Sequence, residues 1–177
     1  MKSVLSLSLL ILLAAALLRF ANLNSIPVFA DESIYIRWAQ IMKAESTMRF
    51  LPLSDGKQPL FMWLVIPFLK IFSDPLLAGR MVSGLAGIGT VAGVGAAAWL
   101  IFKNLRTALV ASMLWAVLPY AVFFDRLALS DSLMTMFVVW APTTYRGQAA
   151  IPRCAGGGRK RHPIRRRNIH RENGQSG

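Results

Sequence analysis

Six charged side chains in this sequence have the types to carry out acid–base and phosphate chemistry: the adjacent carboxylates Asp31 and Glu32, the carboxylate Asp131, and the cations Lys57, Arg80 and Arg126. A carboxylate within hydrogen-bond reach of a hydroxyl or amine can take its proton, provided its surroundings raise its pKa. An ammonium or guanidinium can hold a phosphate and stabilise the negative charge that grows on it. Each residue also has a plainer reading. Asp31 and Glu32 open a helical segment, where carboxylates favour the positive end of the dipole. Lys57 can be an interfacial lysine whose stem lies along apolar surface, and Asp125 can serve as the ion-pair partner of Arg126. Chemistry is favoured over capping only if Asp131 comes back to the same membrane face as Asp31.

Whether it does depends on which segments cross a bilayer. The chain has 177 residues, 55% of them hydrophobic and 16% charged, with mean hydropathy +0.48. Those values fit a membrane protein better than a disordered chain or an ordinary soluble domain. A span needs about 20 apolar residues. Ser3–Phe20 qualifies, with a cleaved signal peptide as its rival; later spans make a separate signal unnecessary. Residues 79–102, about 36 Å as a helix, and 105–124, about 30 Å, are the next two. Residues 58–72 make only about 23 Å of helix, contain Pro67, and carry Lys70, which is expensive in hydrocarbon. That segment is read as an interfacial helix, as is 31–45, where Ile34, Trp38, Ile41 and Met42 recur at helical spacing. The positive-inside rule agrees: Lys2 and the Lys103–Arg106 loop both stay cytoplasmic only if 58–72 does not cross. Asp31, Glu32, Lys57, Arg126 and Asp131 then share the outer face, with Arg80 near its edge.

A fourth apolar run begins at Ser132 and stops at Ala141, about 15 Å of helix, half of what a crossing needs. Residues 1–141 hold 11 Lys/Arg against 7 Asp/Glu, whereas residues 142–177 hold 9 against 1. Most of the formal charge of +12 therefore lies in a basic tail, read as disordered and non-native to the fold, as a frameshift would give. Such tails also bind nucleic acid or anionic lipid, and no specific nucleic-acid partner is assigned here. Cys154 is the single cysteine, which excludes a disulfide framework. His162 and His170 both lie in the tail, so no histidine chemistry is argued. Small residues form two rows, Gly79–Ser83–Gly87 and Gly89–Gly93–Ala97, that invite close helix approach. Two neighbours within the chain are too few to fill both rows, so further helices or subunits are expected.

The order of an N-terminal span, RFANLNSIPVFADESIYIRWA, GKQPLFMWLVIPFLKIF, AGRMVSGLAGIGTV and FDRLALSDSLMTMF resembles the N-terminal part of GT-C-type glycosyltransferases that use polyprenyl-phosphate sugars. That group contains the protein O-mannosyltransferases and the aminoarabinose transferases of lipid A. The resemblance covers residues 3–141 and implies an all-α integral membrane fold, part of a multi-helix bundle with interfacial helices in its first external loop. It implies that Asp31 is the principal catalytic carboxylate, with Glu32 completing its acidic pair. Asp131 matches the acidic position of the second loop, and Lys57 a lysine near the carrier phosphate, with Arg126 or Arg80 assisting. The donor would be a polyprenyl-phosphate-linked sugar and the acceptor a lipid, protein or glycan, on the extracytoplasmic face of the cell membrane. Two or three carboxylates beside a phosphate are compatible with Mg²⁺ or Mn²⁺, held by Asp31 and Asp131, although the resemblance does not make a metal obligatory. Family members continue through many more transmembrane helices, so residues 1–177 alone are expected to be a fragment and inactive. The alternative is a non-catalytic membrane subunit, or an assembly or transport protein with a basic tail.

Overall fold

The computed structural model describes residues 2–149, and in this range every regular element is a helix. In chain order these are α1 (Lys2–Phe20), α2 (Ala30–Ala44), α3 (Leu60–Ile71), α4 (Pro75–Phe102), α5 (Leu105–Val117), α6 (Pro119–Asp125) and α7 (Ser130–Ala149). The long α4 is the centre, and α1, α5 and α7 pack along it. At one end of α4, α2 and α3 pack on each other and on its first turns. Tyr35, Ile36, Ala39 and Met42 of α2 meet Phe61, Met62 and Val65 of α3 there, closed by Ala78 and Val82 of α4 and by Leu127–Leu129. A second cluster further along joins Ile11, Ala15, Val91 and Ala116.

Among the described residues, two helices are long and apolar enough to cross a membrane, or three if the bent pair α5 and α6 counts as one span; α3 is apolar but too short. The chain is thus an all-α membrane protein, as its sequence predicts. Local signals explain the boundaries that differ. The second span starts at Pro75 instead of Gly79 because Asp74 caps it, its carboxylate accepting the Leu76 amide at 2.9 Å, with Pro75 at the first helical position. Lys103 closes it in the left-handed region (φ 52°), and Asn104 caps α5 through the Arg106 amide at 2.9 Å. A two-residue turn therefore reverses the chain. The expected continuous span 105–124 is bent by 61° between Val117 and Pro119, because a proline has no amide for the helix ladder and its ring crowds the preceding turn.

The fourth apolar run also differs. Its helix continues through Pro142 to Ala149, where the sequence reading ended it at Ala141. The part of α7 before Ala141 already answers for most of the second small-residue row. A side chain at Gly89 would meet Met136, and one at Gly93 would meet Trp140 and Val139 of α7. The Trp140 indole N–H also donates to the Gly89 carbonyl at 3.0 Å. Gly79 lies against Ala128 and Ile36, Ser83 donates to the Leu129 carbonyl, and Gly87 lies against Asp125 and Arg19. Five of the six positions are therefore met from within the chain, and Ala97 is half-buried. Of the disordered tail expected at 142–177, residues 142–149 are instead the end of α7; the rest, with Cys154, His162 and His170, lies outside the described residues.

Candidate active site

Two buried ion pairs build the end of the bundle to which the candidate residues belong. Arg80 on α4 and Glu32 in the first turn of α2 are both fully buried. Arg80 Nε donates to Glu32 Oε1 and Nη2 to Oε2, each at 2.9 Å, the bidentate fork that a guanidinium offers a carboxylate. Its remaining N–H groups reach the carbonyls of Leu23, Ile26 and Pro27. Glu32 accepts further bonds from the amides of Phe29 at 2.9 Å and Ala128 at 2.7 Å. Burial pushes the Glu32 pKa up, but the Arg80 guanidinium and the two amides outweigh it and hold the carboxyl below the usual carboxylate range.

This pair ties the first loop, α4 and the 126–129 loop at one point. It also removes Glu32 and Arg80 from the set of groups free to meet a substrate. The expected acidic pair is divided, because successive helical residues point about 100° apart. Glu32 turns inward and leaves Asp31 exposed. Capping of α2 through a side chain is the work of Glu32, whose carboxylate accepts the Phe29 amide.

The second pair joins Arg19 at the end of α1 to Asp125 at the end of α6. Arg19 Nε donates to Asp125 Oδ2 at 2.9 Å, and Nη1 reaches the Ala116 carbonyl at 3.1 Å beside the α5–α6 bend. Asp125 is thus the partner of Arg19, not of Arg126 as its neighbour in sequence suggests. Arg126 instead donates to the carbonyls of Ala21 and Asn22, at 2.7 and 3.0 Å, just past the end of α1, where a cation complements the dipole. Like Arg80, it is engaged with backbone oxygens and not with the Lys57 cluster. The Arg19–Asp125 pair presses on α4 at Gly87, where any Cβ would overlap the Asp125 carboxylate. Gly87→Ala is expected to destabilise the protein by about 1–3 kcal/mol, read as a lower melting midpoint in detergent; an unchanged midpoint would mean that the pair can shift freely.

Three of the predicted residues, Asp31, Lys57 and Asp131, remain exposed. Lys57 follows the 3₁₀ turn Leu51–Asp55 and Gly56, whose φ of 69° turns the chain. Its ammonium lies 5.8 Å from the centroid of the Tyr35 ring. Interaction with the Tyr35 side chain holds its pKa above the ordinary lysine value, and the charges of Asp31 and Asp131 add to this. Asp31 in α2, Lys57 in the next loop and Asp131 in α7 therefore share one electrostatic neighbourhood. Asp131 also borders a cleft of about 170 Å³ with Trp115, Tyr120, Ser132 and Thr135. Among the described residues no cluster of three or more His, Cys, Asp or Glu side chains suits a metal ion. Asp31 and Asp131 supply two carboxylates only.

Tyr35 and Arg19 were missed in the sequence. Tyr35 stands four residues after Asp31, hence on the same side of a helix, a signal that could have been used. Arg19 closes an apolar span, and only its distant partner reveals its role. Residues 56–147, just over half of the chain, match the family model described as dolichyl-phosphate-mannose-protein mannosyltransferase. No curated protein and no solved structure matches the chain.

Proposed function

The chain belongs to the dolichyl-phosphate-mannose-protein mannosyltransferase family, membrane glycosyltransferases of the GT-C type, and from that premise we propose that Asp31, Lys57 and Asp131 form its donor-handling face. What supports this reading is that the Lys57 ammonium stands 5.8 Å from the Tyr35 ring of α2, with the charges of Asp31 and Asp131, from helices far apart in sequence, both acting on it. The donor is a sugar on a polyprenyl phosphate and the acceptor a hydroxyl or amine, on the extracytoplasmic side of the cell membrane.

In this reading the carrier phosphate meets the Lys57 ammonium, a compact charge on an exposed stem. The acceptor approaches the anomeric carbon from the side opposite the phosphate. Asp31 takes the acceptor proton as the new glycosidic bond forms, the bond to the phosphate oxygen breaks with inversion, and Lys57 stabilises the charge left on that oxygen. Asp131, beside its small cleft, orients the acceptor. Glu32 and Arg80 act as positioning residues: they fix the first turn of α2 and so aim Asp31.

Lys57→Gln is expected to weaken binding of a polyprenyl-phosphate sugar roughly 10-fold to 100-fold, the loss of one hydrogen bond to a charged group. Lys57→Arg should restore most of it. Equal donor affinity in wild type and Lys57→Gln would remove the lysine from the site.

A further inference from the structure

Away from the Asp31 neighbourhood, the later turns of α2 and the length of α3 enclose a second cleft of about 550 Å³. Its floor is apolar, with Met42 buried and Ile66 half-buried. Phe50 and Trp63 form a wall, their rings edge to face at 5.5 Å, and the Trp63 indole N–H donates to the Arg49 carbonyl at 2.9 Å. Lys43, Arg49 and Lys70 stand at its rim, all exposed. Lys43 is drawn toward α3 by a bond from its ammonium to the Leu69 carbonyl at 3.0 Å. No acidic residue lines the cleft, and none of the three cations forms an ion pair among the described residues.

The outer face of α3 points to what supplies the missing negative charge. Leu60, Trp63, Leu64, Pro67 and Ile71 are exposed at positions i, i+3, i+4, i+7 and i+11, a continuous apolar stripe opposite the side buried against α2 and α4. A stripe of this size marks an interaction surface. A partner that offers both hydrocarbon to the stripe and an anion to the rim is a phospholipid. Trp63 lies where the two meet, and indole rings favour such boundaries between hydrocarbon and headgroups. Tyr35, which faces Lys57, is eight residues from Lys43 on α2, about 12 Å along the helix. The cleft is thus distinct from the place assigned to the carrier phosphate.

We propose that this cleft binds the headgroup of an anionic glycerophospholipid, with Lys43, Arg49 and Lys70 on its phosphate and the acyl chains along the outer face of α3. The lipid holds α2 and α3 flat on the bilayer surface and so fixes the height of the loop that carries Lys57. The site does not depend on the catalytic reading: it stands if the protein transfers no sugar.

The test is native mass spectrometry of the full chain from nanodiscs containing equal phosphatidylglycerol and phosphatidylcholine. Wild type is expected to retain phosphatidylglycerol preferentially. Each basic residue near an anionic surface is worth about 5-fold, so Arg49→Gln/Lys70→Gln should lower that preference roughly 30-fold, while Arg49→Lys/Lys70→Arg keeps it. Equal retention of both lipids by wild type, or an unchanged preference in the double glutamine variant, would overturn the proposal. So would full displacement of the lipid by millimolar glycerol phosphate, which would mark a site for soluble phosphate. Should the double variant fail to fold, wild type in rising salt decides: the preference must fall as the charges are screened.

Discussion

Arg80→Met is expected to destabilise the protein by about 3–5 kcal/mol, the cost of leaving one partner of a buried pair uncompensated. In a chain of this size that lowers the melting midpoint by roughly 10 °C. The effect is large because three carbonyls lose a donor and a fully buried carboxylate loses its counter-charge at once. Arg80→Lys should recover only part of it, since an ammonium cannot reproduce the two-pronged contact. Replacing both partners by apolar residues should not rescue stability either, because the Ala128 and Phe29 amides would then lose their acceptor.

The same pair sets an acid limit. The Glu32 carboxyl is held below its ordinary value in the folded state, so its stabilising contribution is complete above the unfolded pKa, about 4.3. It is lost as pH falls through the lower, folded value. Glu32→Gln should abolish that part of the acid transition while destabilising the protein at neutral pH. A melting midpoint in Arg80→Met equal to that of wild type would show that the pair does not hold this end of the bundle together.

Asp31→Asn is expected to reduce sugar transfer by the intact enzyme about 10²–10⁴-fold, the usual contribution of a general base. The loss should fall on kcat, with donor binding and melting midpoint close to wild type, because Asp31 is exposed and the substitution preserves its shape. That pattern separates a proton acceptor from Glu32, whose replacement should lower both stability and turnover. If Asp31→Asn turns over at the wild-type rate, the base lies elsewhere. Transfer lost together with the fold would reduce Asp31 to a structural group.

Much of the architecture was legible in the residues alone. Three apolar stretches, the short connection at Lys103–Asn104, and two shorter helices between the first and second spans follow from apolar run lengths and local breaks. The misplaced boundaries were legible too: Asp74-Pro75 is a start signal and Leu118-Pro119 a break signal. The length of α7 was less so, because the residues from Thr143 onward are mostly polar and show no apolar periodicity, yet the helix runs on through Pro142 to Ala149.

For the charged residues, sequence determined the inventory and tertiary structure decided the partnerships. The topology read from the sequence returns Asp31, Lys57 and Asp131 to one end, and the charges of both carboxylates act on Lys57. Nothing local, however, distinguishes Glu32 from Asp31 or Arg80 from Arg126. Glu32 meets Arg80 across 48 residues, and Asp125 passes over adjacent Arg126 to meet Arg19 across 106. Helix periodicity and turn chemistry act over a few residues and are written in the chain. The partner of a buried charge is set by which helix ends pack together, because only there does the loss of water make a bidentate contact and a satisfied carbonyl outweigh the solvation each group gives up.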